Sequence, residues 1–158
     1  MEPLSEAITF QQERAQDCFA EGKPLLEKHW AEIAHYKDIS LDPEWQTYTS
    51  LEDAGFLRAY TLRDRGELKG YAVFLVKTNA HYRTSLQAHQ DILYVDPEYR
   101  QAMLGARFLV WCDDQLRKEG VQVVHHHVKV NILDYGPLLK RLGYEYVDAI
   151  WAKRLDRE

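Results

Sequence analysis

The stretch Asp91-Ile92-Leu93-Tyr94-Val95-Asp96-Pro97-Glu98-Tyr99-Arg100-Gln101-Ala102-Met103-Leu104-Gly105-Ala106 decides how this chain folds. An apolar run suited to a strand stops at Pro97, a short charged turn follows, and apolar residues at helical spacing begin at once. Gly105, Leu109, Cys112 and Leu116 fall on one face of that helix, and Gly120 ends it. The first turn of a helix carries backbone N–H groups without intrahelical partners and the positive end of the macrodipole, so it holds an anion without dedicated side chains. Arg100 adds a cation beside it. The turn therefore reads as a phosphate site at the carboxyl end of a strand, where open α/β sheets bind ligands.

Upstream of this stretch, residues 88–95 read as the last of three antiparallel strands. The other two, residues 56–62 and 68–77, flank Asp64-Arg65-Gly66-Glu67 as a β-hairpin. Residues 8–20 and 24–36 show apolar side chains at three- and four-residue spacing, which predicts two helices, or one kinked helix, around Gly22-Lys23-Pro24. A further short helix is predicted over residues 43–54, with Asp42 as N-cap, Pro43 in the first turn and Gly55 as its end. Downstream, the helix over 101–120 is followed by a fourth strand over 121–130. A short helix over 137–142 then stops at Gly143, and a final strand or pair of strands occupies 144–155. A strand-helix-strand unit of this length returns parallel and right-handed. The expected fold class is therefore α/β, of the mixed α+β kind. Its central twisted sheet is mixed and mostly antiparallel, has one parallel crossover, and is flanked by helices.

Composition bounds the function. The 158 residues are the size of one domain, and 46% hydrophobic with 12% aromatic residues is enough to build a core. Apolar runs such as residues 71–76 fall far short of the roughly 20 residues that span a bilayer. The start of the chain lacks a basic segment followed by an apolar block, so the chain reads as cytoplasmic, with no membrane partner. Cys18 and Cys112 lie in apolar helical patterns and read as buried free thiols. Residues 1–56 hold twelve acidic and four basic side chains, net −8, whereas residues 57–158 hold thirteen and sixteen, net +3. The acidic part attracts amines. The basic excess surrounds the phosphate turn and is too small to imply a nucleic-acid partner.

Tyr94-Val95-Asp96-Pro97-Glu98-Tyr99-Arg100 followed by Gly105-Ala106 resembles motif A of the GNAT N-acetyltransferase superfamily, in which Val-x-Pro-x-x-Arg precedes a glycine-containing turn that cradles the pyrophosphate of acetyl-CoA. Asn131 followed by Leu138-Leu139-Lys140-Arg141-Leu142-Gly143-Tyr144 is similar to the family's C-terminal segment. The likeness covers about residues 56–155 and looks closest to bacteriophage-encoded members. It implies a GNAT-like domain with a helical acceptor-side region over 1–55 and a sheet core over 56–155 that carries the acetyl-CoA site. It implies acetyl-CoA contacts from Tyr94, Val95, Arg100, Gln101, Ala102, Met103, Leu104, Gly105, Ala106 and Asn131. Two positions depart from the family pattern. Met103 stands where the first turn glycine belongs, and Leu139 stands where many members place a Tyr that protonates the departing thiolate; Tyr135 is the nearby substitute.

The implied chemistry is transfer of an acetyl group from acetyl-CoA to a primary amine of a small molecule or protein. It needs a base for an ammonium whose reference pKa is near 10.4 and an acid for the leaving thiolate. His89 lies on the strand entering the turn, where some family members carry a catalytic Glu, and imidazole titrates near neutral pH. Asp91, on the same face, would orient His89 or bind the cationic acceptor. Of His125-His126-His127, only the first and third share a strand face, and no other ligand sits at suitable spacing, so no metal is expected. Trp30, Tyr36, Trp45, Tyr48 and Tyr60 are either acceptor-pocket wall or core, and Glu52 and Asp53 either ammonium contacts or helix-end charges. An alternative drawn from the two departures is a GNAT-fold protein of weak or lost catalysis that binds a host protein partner, in the host cytoplasm if phage-encoded. Oligomeric state stays open, with a homodimer among the options.

Overall fold

In the computed structural model, which describes residues 4–101 and 103–157, the first element is a strand, β1 (Ile8–Glu13). The helical expectation for residues 8–20 is corrected at its start. The large side chains Ile8 and Phe10 alternate with polar Thr9 and Gln11, and the strand pairs antiparallel with β2 (Leu57–Asp64), from Ile8 opposite Asp64 to Glu13 opposite Ala59. An available edge far along the chain outweighs local helical spacing. Helix α1 (Ala15–Ile33) then runs unbroken through Pro24, although the proline ring has no N–H to give Ala20. Helix α2 (Trp45–Asp53) starts later than its spacing suggests, because Glu44 rather than Asp42 accepts the Gln46 N–H, at 3.2 Å.

Strand β2 turns into β3 (Glu67–Asn79) through Arg65 and Gly66, with φ of +49° and +82°, the primed hairpin turn that suits twisted strands. Strand β4 (Tyr82–Val95) returns antiparallel to β3 and is longer than its apolar run. After helix α3 (Leu104–Lys118), strand β5 (Val123–His125) lies parallel to β4, completing a five-stranded sheet in the order β1-β2-β3-β4-β5. The predicted strand over 121–130 thus shrinks to three residues. Helix α4 (Gly136–Arg141) stops at Gly143, as expected. The final strand over 144–155 is corrected: among the described residues this segment joins no sheet, and most of its apolar side chains face solvent.

The sheet has two covered faces. On one, Tyr60, Leu62 and Phe74 pack with Phe108, Cys112 and Leu116 of α3 into a fully buried core. Each such large side chain is worth about 1.5–3 kcal/mol. On the other, Leu57, Ala59 and Val73 meet Ala15 and Phe19 of α1 and Tyr48 and Leu51 of α2. Both cysteines are free; Cys112 is buried in the first core and Cys18 half-buried beside the second. One polar knot fastens β1 and α1 to β2. The Arg63 guanidinium donates to Glu13 at 2.8 Å and to Glu21 at 2.6 Å, and its side chain is only 10% exposed. Burial pushes the Glu13 carboxyl up, but hydrogen bonds from Arg63 and Thr61 outweigh it and hold it below the usual range.

Removing one member of a buried ion pair leaves the other charge uncompensated. Arg63→Met is therefore expected to lower stability by roughly 3 kcal/mol in urea unfolding. Arg63→Lys should recover only part, since an ammonium cannot present two paired donors to each carboxylate.

Candidate active site

The register of β3 against β4 slips between Val73 and Phe74: Phe74 faces Gln90 and Val73 faces Ile92, leaving Asp91 as an extra residue. This is a β-bulge, which bends and twists its strand locally. It sets His89, Asp91, Ile92 and Tyr94 toward α1 and α2, while Ala88, Leu93 and Val95 stay on the α3 side. His89 and Asp91 therefore share a face, as expected. Asp91 does not orient His89, however. Its carboxylate accepts the Tyr48 hydroxyl at 2.7 Å and so ties α2 to the bulge, and among the described residues no hydrogen bond joins it to His89.

Strands β4 and β5 are paired only from Gln87 and Val123 to His89 and His125, and then they part. The Gln90 side chain crosses the opening, its Oε1 accepting the His127 N–H at 2.8 Å. The Tyr135 hydroxyl donates to the His127 carbonyl at 3.1 Å and lies 3.5 Å from Gln90 Oε1. Burial pushes the Tyr135 hydroxyl well above its usual pKa, so it keeps its proton. Beyond Gln90, no strand among the described residues lies beside the β4 edge that faces this gap. Gln90 was not among the expected site residues; a polar residue amid buried strand positions is the signal that points to it.

The His125-His126-His127 run divides by strand alternation. The His125 ring stacks on His89, with centroids 4.4 Å apart and planes 3° from parallel. Desolvation holds the His89 imidazole below its usual pKa, and the neighbouring His125, His127 and Lys77 push in the same direction. At neutral pH His89 is consequently an uncharged base. His126 points the other way, edge-on to Phe74, Tyr135 and Tyr144, with both ring nitrogens buried and unpartnered. Burial holds it at about 4. Among the described residues, no group of three or more His, Cys, Asp or Glu is arranged to hold a metal.

The turn after β4 is moored at several points. Asp96 caps a single helical turn at Pro97–Tyr99 by accepting the Glu98 N–H, and the Tyr99 hydroxyl donates to Asp64 at 2.7 Å. Gly70 of β3 lies so close that a Cβ there would sit 2.9 Å from the Tyr94 carbonyl oxygen, so only glycine lets the end of β4 approach. Arg100 departs from its expected role. Its guanidinium donates to Glu32 of α1 at 2.7 and 3.0 Å and to the Val95 carbonyl at 2.7 Å, so its charge is already paired. Tyr94 and Val95 are likewise buried, Tyr94 stacked on His29 at 5.0 Å, and their side chains support the strand rather than face a ligand.

At the helix start, Met103 adopts φ +61° and ψ +16°, the left-handed conformation a glycine would take, and its side chain is 57% exposed. The conformation costs about 1 kcal/mol for a residue other than glycine. The turn is thus formed despite Met103, and that side chain points outward. Leu104 and Ala106 pack toward the core, Leu104 N–H donates to the Gln101 carbonyl at 3.1 Å, and a Cβ on Gly105 would meet nothing within 4 Å. Among the described residues no side chain caps α3, so its first turn is presented as bare main chain. Ala102 lies outside the described residues.

A cleft of about 2240 Å³ opens on the α1 and α2 side. Trp30, Tyr36, Trp45, Tyr48 and Tyr60 all line it, together with His89, Asn131 and the segment 144–152. Asn131 is exposed in a tight turn closed by Ile132 N–H to the Lys129 carbonyl, at 2.9 Å. Glu52 and Asp53 serve the start of α1 instead of the cleft: Glu52 accepts the Ala15 N–H at 2.6 Å, and Asp53 pairs with Arg14 at 3.3 Å.

The five-stranded mixed sheet flanked by helices is a fold that solved acetyltransferase structures share. Among solved structures, the chain matches an aminoglycoside acetyltransferase from an uncultured soil metagenomic sample in complex with sisomicin, with TM-score 0.71 and 15% identity over 94% of this chain and 97% of that one. It also matches the aminoglycoside N-acetyltransferase AAC(6′)-Iy in complex with CoA, with TM-score 0.69 and 14% identity over 98% of each chain. A third match is a predicted acetyltransferase with acetyl-CoA from Clostridium acetobutylicum, with TM-score 0.68 and 10% identity over 94% and 96%. No protein-family model matches the sequence, and no curated protein matches it. Identities this low establish a common fold.

Two imidazoles make this fold sensitive to acid. His29 lies 3.0 Å from the Tyr71 hydroxyl, and burial holds it at about 4, as it does His126. Both are protonated more readily when unfolded, where the pKa is near 6.5, so the stability they contribute is full above about 6.5 and is lost as pH falls toward about 4. Each is worth up to about 3 kcal/mol. Thermal unfolding at pH 7.5 and pH 5 is expected to show a marked drop for the parent and a smaller one for His126→Phe, which suits the aromatic surroundings and cannot take a proton.

Proposed function

We propose that the chain is an acetyl-CoA-dependent N-acetyltransferase acting on a primary amine of a small molecule or protein. The observation that carries this reading is the left-handed Met103 followed by the uncapped first turn of α3, placed where β4 parts from β5. The residues present fit the donor. The main-chain N–H groups of Met103, Gly105 and Ala106, with the helix dipole, suit a pyrophosphate even with Arg100 paired elsewhere. The open β4 edge beyond Gln90 suits an extended amide chain, which binds such an edge as an added strand would. The structural likeness to acetyltransferases crystallised with CoA or acetyl-CoA supports the same assignment.

Acetyl-CoA supplies an activated thioester; the rest falls to the chain. His89, uncharged at neutral pH and open to the cleft, takes the proton from an acceptor ammonium, directly or through one water. Tyr135 holds a proton at its hydroxyl beside the gap and serves the departing sulfur, while Leu139, buried within α4, does not. Aromatic walls, with five carboxylates along the cleft against Arg117, Lys129 and Lys140, favour cationic acceptors. The neighbour crystallised with sisomicin makes aminoglycoside-like polyamines the first class to try. We assign the activity to the cytoplasm. The alternative of a host-directed binding protein draws on Met103 and Leu139; the formed turn removes the first of these supports, and Leu139, buried in α4, keeps the second.

Acetyl-CoA at 1 mM is expected to raise the unfolding temperature, because a ligand that binds only the native state stabilises it. Absence of a shift would overturn the proposal. Gly105→Trp fills the bare turn and should abolish that shift. His89→Ala should keep the shift while turnover on a polyamine panel, followed by release of the CoA thiol, drops about 10²-fold or more; unchanged turnover would remove His89 as the base.

A further inference from the structure

Proton transfer needs the lone pair of a base aimed at its donor, so a base that opens to a cleft must have its ring held. Among the described residues no hydrogen bond reaches the His89 ring, and Asp91, on the same face, gives its carboxylate to Tyr48 of α2. The hold comes from His125. The two residues face each other on the last rung of the β4–β5 ladder, and their rings lie flat together, with 4.4 Å between centroids and planes 3° from parallel. Side chains directly opposite on neighbouring strands fix one another in this way.

His125 is itself carried on fixed main chain. Two residues on, the His127 N–H donates to Gln90 Oε1 at 2.8 Å, and the His127 carbonyl accepts the Tyr135 hydroxyl at 3.1 Å. The His125 Nδ1 is buried without a partner, so no hydrogen bond at that atom competes with the stack for the orientation of the ring. Both rings line the cleft. Rings laid face to face share no in-plane hydrogen bond, so no proton passes directly between them, and His125 acts on His89 through orientation and charge.

Charge gives the pair its second property. One imidazolium lying on a neutral aromatic ring is favoured, whereas two imidazolium ions 4.4 Å apart repel. The other groups that bear on His89 are His127 just past β5, Lys77 of β3 and, along β4, Asp91 with its Tyr48 partner. His127 and Lys77 add to the resistance against a second proton. A pair of this kind takes up one proton and resists the next. When His89 accepts a proton from an amine, a neutral His125 lies against the new cation and supports it.

We propose that His125 is the positioning residue of this site: it fixes the His89 ring toward the cleft and limits the stacked pair to one proton. Its catalytic consequence rests on the acetyltransferase reading, whereas the pairing rests on ring geometry alone.

Imidazole NMR titration tests the pairing without any substrate. In the parent, the His89 and His125 resonances should each follow two steps. His125→Phe should leave His89 a single step, displaced upward by about 0.5 pH units or more because the positive neighbour is gone. Turnover tests the consequence, on whichever amine of the panel reacts fastest. His125→Ala should lower kcat roughly tenfold while acceptor KM and the thermal shift with acetyl-CoA stay near parental values. His125→Phe, which restores a flat ring, should recover most of that loss at pH 8 and move the acid limb of the kcat profile upward in step with the His89 resonance. Independent one-step titrations of the two rings, a parental kcat in His125→Ala, or an acid limb that His125→Phe leaves in place would each overturn the proposal. A parent with neither thermal shift nor turnover defeats the acetyltransferase reading instead, and the titration then still decides whether the rings are paired.

Discussion

Strand β4 is held by β3 along its length on one side and by β5 over only three residues on the other, and the rest of the site depends on that inequality. The bulge at Asp91 adds a residue and a twist that β5, anchored to the end of α3, does not follow. Main-chain groups of β4 are thereby left facing a gap instead of a ladder. Polar side chains keep the gap orderly: Gln90 accepts the His127 N–H, Tyr135 donates to the His127 carbonyl, and Tyr48 braces the bulge from the opposite face. Each of these bonds reaches across more sequence than a turn could, so the gap is a product of tertiary structure.

The turn that follows is rigid for a complementary reason. Asp64 and Glu32 grip it from different elements, and Gly70 admits it against β3. Because Glu32 neutralises Arg100, any attraction of this turn for an anion comes from oriented peptide groups. That places the field along the α3 axis, at a fixed point, where a mobile side-chain cation would spread it.

Much of this was legible in the sequence, and what was not has a common cause. The strand-turn-helix at 91–106, the hairpin at Arg65-Gly66 and the stops at Gly55, Gly120 and Gly143 are local events, set by residues within a few positions of one another. Strand β1 was read as helix because its identity is decided by β2, and the run through Pro24 because α1 gains from packing what the proline loses. Arg100 carries the right charge in the right place, yet its partner Glu32 lies 68 residues earlier and cannot be inferred from spacing. The alternation within 144–155 suggests a strand, whereas among the described residues no strand pairs with it.

The same long-range ties bear on how the chain is made. The groups that fix α1 all lie later in the chain: Glu52 for its first turn, Arg63 for Glu21, Tyr71 for His29 and Arg100 for Glu32. Strand β1 and the first half of α1 need only α2, β2 and β3 to dock, whereas Glu32 near the end of α1 needs Arg100. Docking of α1 is therefore completed only by the turn that follows β4, which ties the far end of the helix to the start of α3.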